Sequence, residues 1–227
     1  LILPYKNGYL STVCCDIAKT IYSWIHRGFL AVTEKVLRRK GKKPGTQEKR
    51  GRFNVKKTIK DRPQEVENRK TFGHWELDTM VSSRGQSKGC LATFVERKTR
   101  FYVAIKMDNR TKDSMFLAIS SLYNTLTSKL LKTFTVDRGK EFACFEQVET
   151  EFGIPMYLAD AYAAWQRGSN ENSNGLLREF FPKKTDLAKV TLDKLTEALV
   201  LINNRPRKCL GFKTPFDMFK HEIRKLI

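Results

Sequence analysis

Acidic residues are scarce in this chain of 227 residues: 24 Asp+Glu stand against 43 Lys+Arg, giving a formal charge of +19 and a sequence pI near 9.8. A surface so short of negative charge points to a polyanion as partner rather than to a neutral metabolite, with nucleic acid first. Cysteine is sparse too. The five cysteines, at positions 14, 15, 90, 144 and 209, form no Cys-x-x-Cys pair and no Cys/His cluster, which argues against structural zinc. Their odd number fits a reduced compartment better than a disulfide framework. No apolar run is long enough to cross a bilayer as a helix, and the N-terminus lacks the charged, apolar, small-residue order of a signal peptide. A soluble, intracellular protein is the expectation. What is present, 41% hydrophobic and 11% aromatic residues, suffices for a core and excludes a disordered basic tail. The length allows one substantial domain with a small appendage.

The charge is uneven. Residues 1–70 hold 18 Lys+Arg and 6 Asp+Glu, a net +12, whereas residues 71–227 hold only +7. The chain opens at Leu1 without Met, with its first pattern already under way, so residues 1–34 are expected to be an N-terminally incomplete segment. There, Ile17, Ile21, Trp24 and Ile25 recur at three- and four-residue intervals, which predicts an amphipathic helix ended by Gly28. It reads either as half of a helix-turn-helix or as a small packing helix. Residues 35–62 carry 13 Lys+Arg against Glu48 and Asp61 with few apolar anchors, the composition of a phosphate-contacting basic linker, which extends to residue 70.

Beyond residue 71 the texture becomes mixed α/β. Strand-like runs at 75–81, 90–95 and 101–107 are separated by short turns and predict an antiparallel meander. A helix over 111–127, a strand over 132–136, a helix over 140–152, a strand over 156–159 and helices over 171–180 and 191–203 complete the order of a ribonuclease-H-like fold.

Three acids stand where chemistry on a phosphodiester needs them. Such chemistry calls for divalent ions to neutralise charge on phosphorus and the leaving oxygen, and hard Mg²⁺ or Mn²⁺ takes carboxylate oxygens. Asp78 lies in the first strand, on the face it shares with Glu76 and opposite Trp75, Leu77 and Thr79. Asp137 follows the strand 133–136, at the strand end where α/β sheets place ligands. Glu171 opens a helix whose same face carries Asn174 and Arg178. Each acid also has a structural reading: a hydrogen-bonded buried carboxylate, a turn or cap, and a first-turn acid favoured by the helix dipole.

The blocks Phe72-Gly73-His74-Trp75-Glu76-Leu77-Asp78-Thr79, Thr135-Val136-Asp137-Arg138-Gly139-Lys140-Glu141-Phe142 and Trp165-Gln166-Arg167-Gly168-Ser169-Asn170-Glu171-Asn172 resemble the catalytic blocks of bacterial insertion-sequence transposases of family thirty, relatives of retroviral integrases. The 33 residues between Asp137 and Glu171 match that family's DDE spacing. Arg62-Pro63-x-Glu65-Val66, Val95-Glu96-Arg97-Lys98-Thr99-Arg100 and Asn204-Arg205-Pro206-Arg207-Lys208 extend the likeness over roughly residues 60–220. Arg138 departs from the Asn of integrases, and Ala161, Ala163 and Ala164 depart from a Pro/Tyr/Ser-rich loop.

The resemblance implies an integrase-type catalytic domain over 71–227. It further implies Asp78, Asp137 and Glu171 as catalytic metal ligands for Mg²⁺, with Mn²⁺ as substitute. The activity is DNA cleavage followed by strand transfer, on double-stranded terminal-repeat and target DNA, by a homodimer or larger assembly. A ribonuclease-H-like nuclease and a non-catalytic DNA-binding remnant are the alternatives. Lys140, Arg167, Arg178, Arg205, Arg207 and Lys208 are either phosphate contacts or solvated surface bases. Glu76 either supports metal or pairs with a base, His74 either orients a ligand or packs, and Trp165 with Tyr162 either stacks on a base or fills the core.

Overall fold

Alternation of apolar side chains along short β-rich runs builds the centre of the structure. The computed structural model describes residues 10–37, 57–82, 87–160 and 163–226; the side chains of residues 10–16, 18, 34, 164 and 165 lie outside that range. Most of the basic run, and Tyr162, are therefore outside the described residues, as is the Trp165 side chain. Two units form, one of Leu1–Gln47 with Pro206–Lys213, the other of Glu48–Arg205 with Thr214–Ile227.

In the larger unit, β1 (His74–Val81), β2 (Cys90–Glu96), β3 (Tyr102–Met107), β4 (Thr133–Val136) and β5 (Met156–Leu158) form one sheet in the order β3-β2-β1-β4-β5. The first three are an antiparallel meander, and β4 and β5 join in parallel. The strand bounds fall within one residue of those the sequence predicts. Trp75 and Leu77 of β1, Ala92 and Phe94 of β2 and Phe134 and Val136 of β4 share one core. Met115, Ile119 and Leu122 of α3 (Lys112–Thr125) and Val148 of α4 (Phe145–Phe152) complete it. The other face sends Met80, Leu91, Val95 and Tyr102 against Leu176 and Leu177 of α5 (Gly168–Phe180) and against Leu195, Ala198 and Ile202 of α6 (Leu192–Asn203). Side-chain caps start α3 and α6, where Thr111 and Thr191 accept from Ser114 N and Lys194 N.

Three features depart from the sequence expectation or add to it. The helix α5 begins at Gly168, three residues before Glu171, because its first turn is bonded from below, as described for the site. A helix absent from the sequence expectation, Pro215–Arg224, is capped by Thr214 and carries Phe219 onto Phe72, Trp75 and Phe101 at ring separations of 5.4, 6.1 and 4.1 Å. Residues 57–67 pack on the sheet: Thr58 bridges Leu158 at the β5 edge, and Ile59 and Val66 are buried beside a four-residue helical turn, Gln64–Glu67. The other unit contains the helix Leu10–His26, formed by the predicted apolar spacing and reversed at Gly28 with φ +72. Its Ile17, Ile21 and Trp24 are exposed.

The opposite edge of the sheet is closed by a side chain. Asn203, buried at the end of α6, accepts from Tyr102 N at 2.9 Å and donates to Tyr102 O at 2.8 Å, so its amide takes the place of a neighbouring strand. Asn203→Leu leaves both β3 groups unpaired and is expected to lower unfolding free energy by about 2–4 kcal/mol, read from urea denaturation, with Asn203→Asp losing only part of the pairing.

Candidate active site

Register brings two acids together. Parallel pairing sets Glu76 beside Thr135, so two residues further along each strand Asp78 and Asp137 emerge on neighbouring strands. A single guanidinium spans them: Arg167 Nη1 lies 3.5 Å from Asp78 Oδ1, and Arg167 Nη2 lies 3.3 Å from Asp137 Oδ2. Nη1 also donates to Leu77 O at 3.3 Å.

The remaining carboxylate valences are taken by the scaffold. Asp78 Oδ1 accepts from Thr79 N at 2.8 Å and its Oδ2 from Asn174 Nδ2 at 3.0 Å. The Asn174 amide is turned that way because Tyr102, buried on β3, donates its hydroxyl to Asn174 Oδ1 at 2.7 Å. Burial pushes the Tyr102 phenol far above its ordinary range, so it stays a donor. Asp137 Oδ1 accepts from Gly139 N at 2.8 Å. A Cβ on Gly139 would stand 2.5 Å from Glu141 Oε2 and 2.8 Å from Asp137 Oδ1, so the close approach of two carboxylates to the backbone accounts for glycine there. Burial raises the Asp78 carboxyl above the usual carboxylate range, with the Arg167 charge opposing and the Asp137 charge reinforcing that shift.

Glu171 lies on the exposed side of α5, one turn before Asn174. Among the described residues no three His, Cys, Asp or Glu side chains converge around one point. The structure thus brings Asp78 and Asp137 together and places Glu171 on the helix that contacts Asp78. An all-oxygen pair already bridged by a cationic group suits a hard divalent ion, which is the fit expected of Mg²⁺ or Mn²⁺.

Glu76 has a different task. It is fully buried, receives Arg97 Nη1 and accepts from Asn170 N at 2.9 Å, so it ties the first turn of α5 to β1. Arg97 also donates to Val66 O at 3.1 Å, and burial, opposed by Glu76, lowers its pKa to about 10. Arg100 donates to Ser169 Oγ. The block Glu96–Arg100 is therefore a polar strut under α5. Glu96 shapes the turn by accepting from Thr99 N and Oγ1, both at 2.6 Å.

The remaining predicted residues are dispersed. His74 is buried, its Nδ1 2.8 Å from Thr133 Oγ1 and its Nε2 3.5 Å from Glu65 Oε1. Arg178 donates to Val81 O at 2.7 Å and to Phe181 O, stapling α5 to the end of β1. Arg138 donates to Ala159 O, and Lys140 is exposed three residues after Asp137. Arg205 pairs with Glu179 at 3.1 Å. Arg207 and Lys208 belong to the other unit, in a short turn where Arg207 N donates to Lys213 O. The sequence pattern did not flag Glu141, which accepts from Thr79 Oγ1 at 3.0 Å and from Arg110 at 2.6 Å. Its position two residues after Gly139 was the only available signal.

The integrase core domain family matches residues 68–164. The transposase InsI for insertion sequence element IS30A of Escherichia coli (strain K12) is 37% identical over 187 residues, which is 82% of this chain and 48% of that protein. The transposase for insertion sequence element IS4351 of Bacteroides fragilis is 35% identical over 219 residues, covering 91% of this chain and 64% of that protein. The chain thus spans roughly half to two thirds of the curated relatives it matches. Among solved structures, the catalytic core domain of BIV integrase superposes with a TM-score of 0.54 at 20% identity, covering 69% of this chain and all of that one. The HTLV-2 integrase catalytic core, in complex with magnesium and in dimeric form, gives a TM-score of 0.50 at 18% identity, covering 64% and 94%. These likenesses show a ribonuclease-H-like fold.

Two outcomes test the scaffold. Arg97→Met strands the Glu76 carboxylate in the core and is expected to cost about 3–5 kcal/mol in urea unfolding, a loss that Glu76→Gln/Arg97→Met partly recovers. Burial lowers the His74 pKa to about 4, with nearby Lys132, Arg97 and Arg62 adding to the effect and Glu65 opposing it. The unfolded chain takes up that proton near pH 6.5 and the folded chain only near 4, so stability present above 6.5 falls through this window and levels off below it. The expected contribution is roughly 3 kcal/mol, measured as the difference in pH dependence between the chain and His74→Gln.

Proposed function

The chain carries an integrase core domain and is a relative of the IS30-type insertion-sequence transposases; from that premise we propose that it catalyses divalent-metal-dependent DNA cleavage and strand transfer, the chemistry of transposition. The observation that carries this reading is the Asp78–Asp137 pair, held at neighbouring parallel strand ends and sharing one cationic bridge. Asp78, Asp137 and Glu171 are the residues assigned to hold Mg²⁺, or Mn²⁺ in its place. When bound, such ions neutralise charge on the reacting phosphate and make the attacking water or 3′-hydroxyl more acidic. The protein's own part is positional. Asn174 and Thr79 N fix the Asp78 carboxylate, Gly139 N fixes Asp137, and the Glu76–Asn170 bond sets the first turn of α5, from which Glu171 projects.

The DNA partners are assigned as terminal-repeat and target duplex, with Lys140 and Arg167 near the scissile phosphate. Arg178, Arg205, Arg207 and Lys208 are assigned to more distant backbone contacts. Residues 1–34 are read as part of a DNA-binding segment and 35–70 as a basic arm, while the catalytic domain over 71–227 works in a homodimer or larger complex, since two element ends must be processed. The net charge of +12 over residues 1–70 supports the holding role.

The test is Mg²⁺-dependent cleavage and strand transfer on DNA bearing the element's terminal repeats. Asp137→Asn is expected to lower both by about 10²-fold or more while leaving DNA binding in Ca²⁺ in place. Cleavage without joining would favour a nuclease, and binding without either step would favour a non-catalytic remnant. Unchanged activity in the variant would overturn the assignment.

A further inference from the structure

Arg167 lies against one oxygen of each aspartate, where a divalent ion held by both would be accommodated. Asp78 Oδ2 is engaged by Asn174, and Asp137 Oδ1 by Gly139 N. Arg167 approaches Asp78 Oδ1, which also accepts from Thr79 N, and Asp137 Oδ2, which has no other donor among the described residues. A cation held by these two oxygens would take the guanidinium's place.

The bridge is built to be exchanged. Its distances of 3.5 and 3.3 Å are long beside the ~2.7–2.9 Å of a tight charge-assisted hydrogen bond, and the fork is split across two carboxylates instead of closing on one. Other arginines packed against the sheet are committed: Arg178 reaches Val81 O at 2.7 Å, and Arg97 is locked between Glu76 and Val66. Arg167 keeps 16% of its side chain exposed and stands on the residue immediately before α5, at the end of a short turn, Ala164–Arg167.

We propose that Arg167 is an exchangeable counter-ion: it holds Asp78 and Asp137 together in the metal-free chain, is released when a divalent ion binds, and then serves the DNA phosphate that the ion attracts. This rests on the metal-dependent reading above. A guanidinium freed beside a metal presents a planar fork suited to phosphate oxygens, so metal binding and DNA binding become coupled through this one side chain. The cost of releasing Arg167 weakens metal binding by the free protein and is recovered when phosphate accepts the same group.

The experiment measures Mn²⁺ binding to the full chain by electron paramagnetic resonance of the free ion, for the unsubstituted protein, Arg167→Gln and Asp137→Asn. DNA affinity is measured in Ca²⁺ and in EDTA. Arg167→Gln is expected to bind Mn²⁺ about tenfold more tightly without DNA, and to show a smaller Ca²⁺-dependent gain in DNA affinity than the unsubstituted chain. A residue that merely holds the loop together would weaken metal binding when removed. Equal or weaker Mn²⁺ binding by Arg167→Gln, with Asp137→Asn defective, overturns the exchange and leaves the metal site standing. Absence of Mn²⁺ binding in every form overturns the exchange and the metal-dependent reading together. Thermal melting of each form checks folding; Arg167→Lys, which keeps a charge but not the fork, is expected to fall between the two in Mn²⁺ affinity.

Discussion

Two negative charges on adjacent strand ends are the constraint from which most of this structure follows. Like charges on neighbouring strand ends repel, and the repulsion grows where burial lowers the effective dielectric. The chain accepts this cost at Asp78 and Asp137 and offsets it with hydrogen bonds from Thr79 N, Asn174 and Gly139 N and with the guanidinium of Arg167. The parallel placement of β4 beside the central strand fixes the pair. An antiparallel β4 would send its final residue to the far end of β1, so the crossover through α3 is a condition of the site as well as of the fold.

Helix α5 is held to the sheet by two kinds of contact. Leu176 and Leu177 supply apolar packing, which tolerates small slides. Polar contacts set its register: Asn170 N to Glu76, Ser169 to Arg100, Asn174 to Asp78 and Tyr102, and Arg178 to Val81 O. A buried ion pair such as Glu76–Arg97 is a poor source of stability compared with an apolar pair of the same volume. Its value here lies in direction. Hydrogen bonds have preferred angles, and five of them along one helix leave little freedom for the position of Glu171.

The parts legible in the sequence are those governed by local period. The alternation around Trp75 and Leu77 fixes which face carries Asp78, and the run before Asp137 marks a strand end, so both acids were found by position. Glu171 was identified as an acid at the start of a helix, although that helix begins three residues sooner. The early start was hidden because its cause, Glu76, lies 94 residues away from Asn170. The same holds for Glu76 itself, which pairs with Arg97 at the end of the neighbouring strand β2, a partner that no spacing rule reveals. The helix Pro215–Arg224 carried a readable start in Thr214-Pro215 and apolar residues at Phe216, Phe219 and Ile223, a spacing that places them on one helix face, so it was legible in the sequence although not expected there. Residues 57–67 read as linker by charge, and only the pairing of Thr58 with Leu158 and the burial of Val66 show them packed.

Net charge alone overstates what the larger unit presents to a polyanion. Arg97 neutralises Glu76, Arg110 neutralises Glu141, and Arg62 is buried against Thr135 and Glu67, so these three charges are already matched within the chain. Arg178 keeps its charge but spends its donors on backbone carbonyls. Among the described residues, the bases left close to the acids are Lys140, exposed, and Arg167, bound by contacts of 3.3–3.5 Å. A site with two uncompensated acids would repel phosphate, whereas one filled by tightly bound arginines would exclude metal. Loose neutralisation by a single side chain avoids both outcomes, because it permits the carboxylates to be assembled before any ion or nucleic acid is present and still leaves them open to replacement.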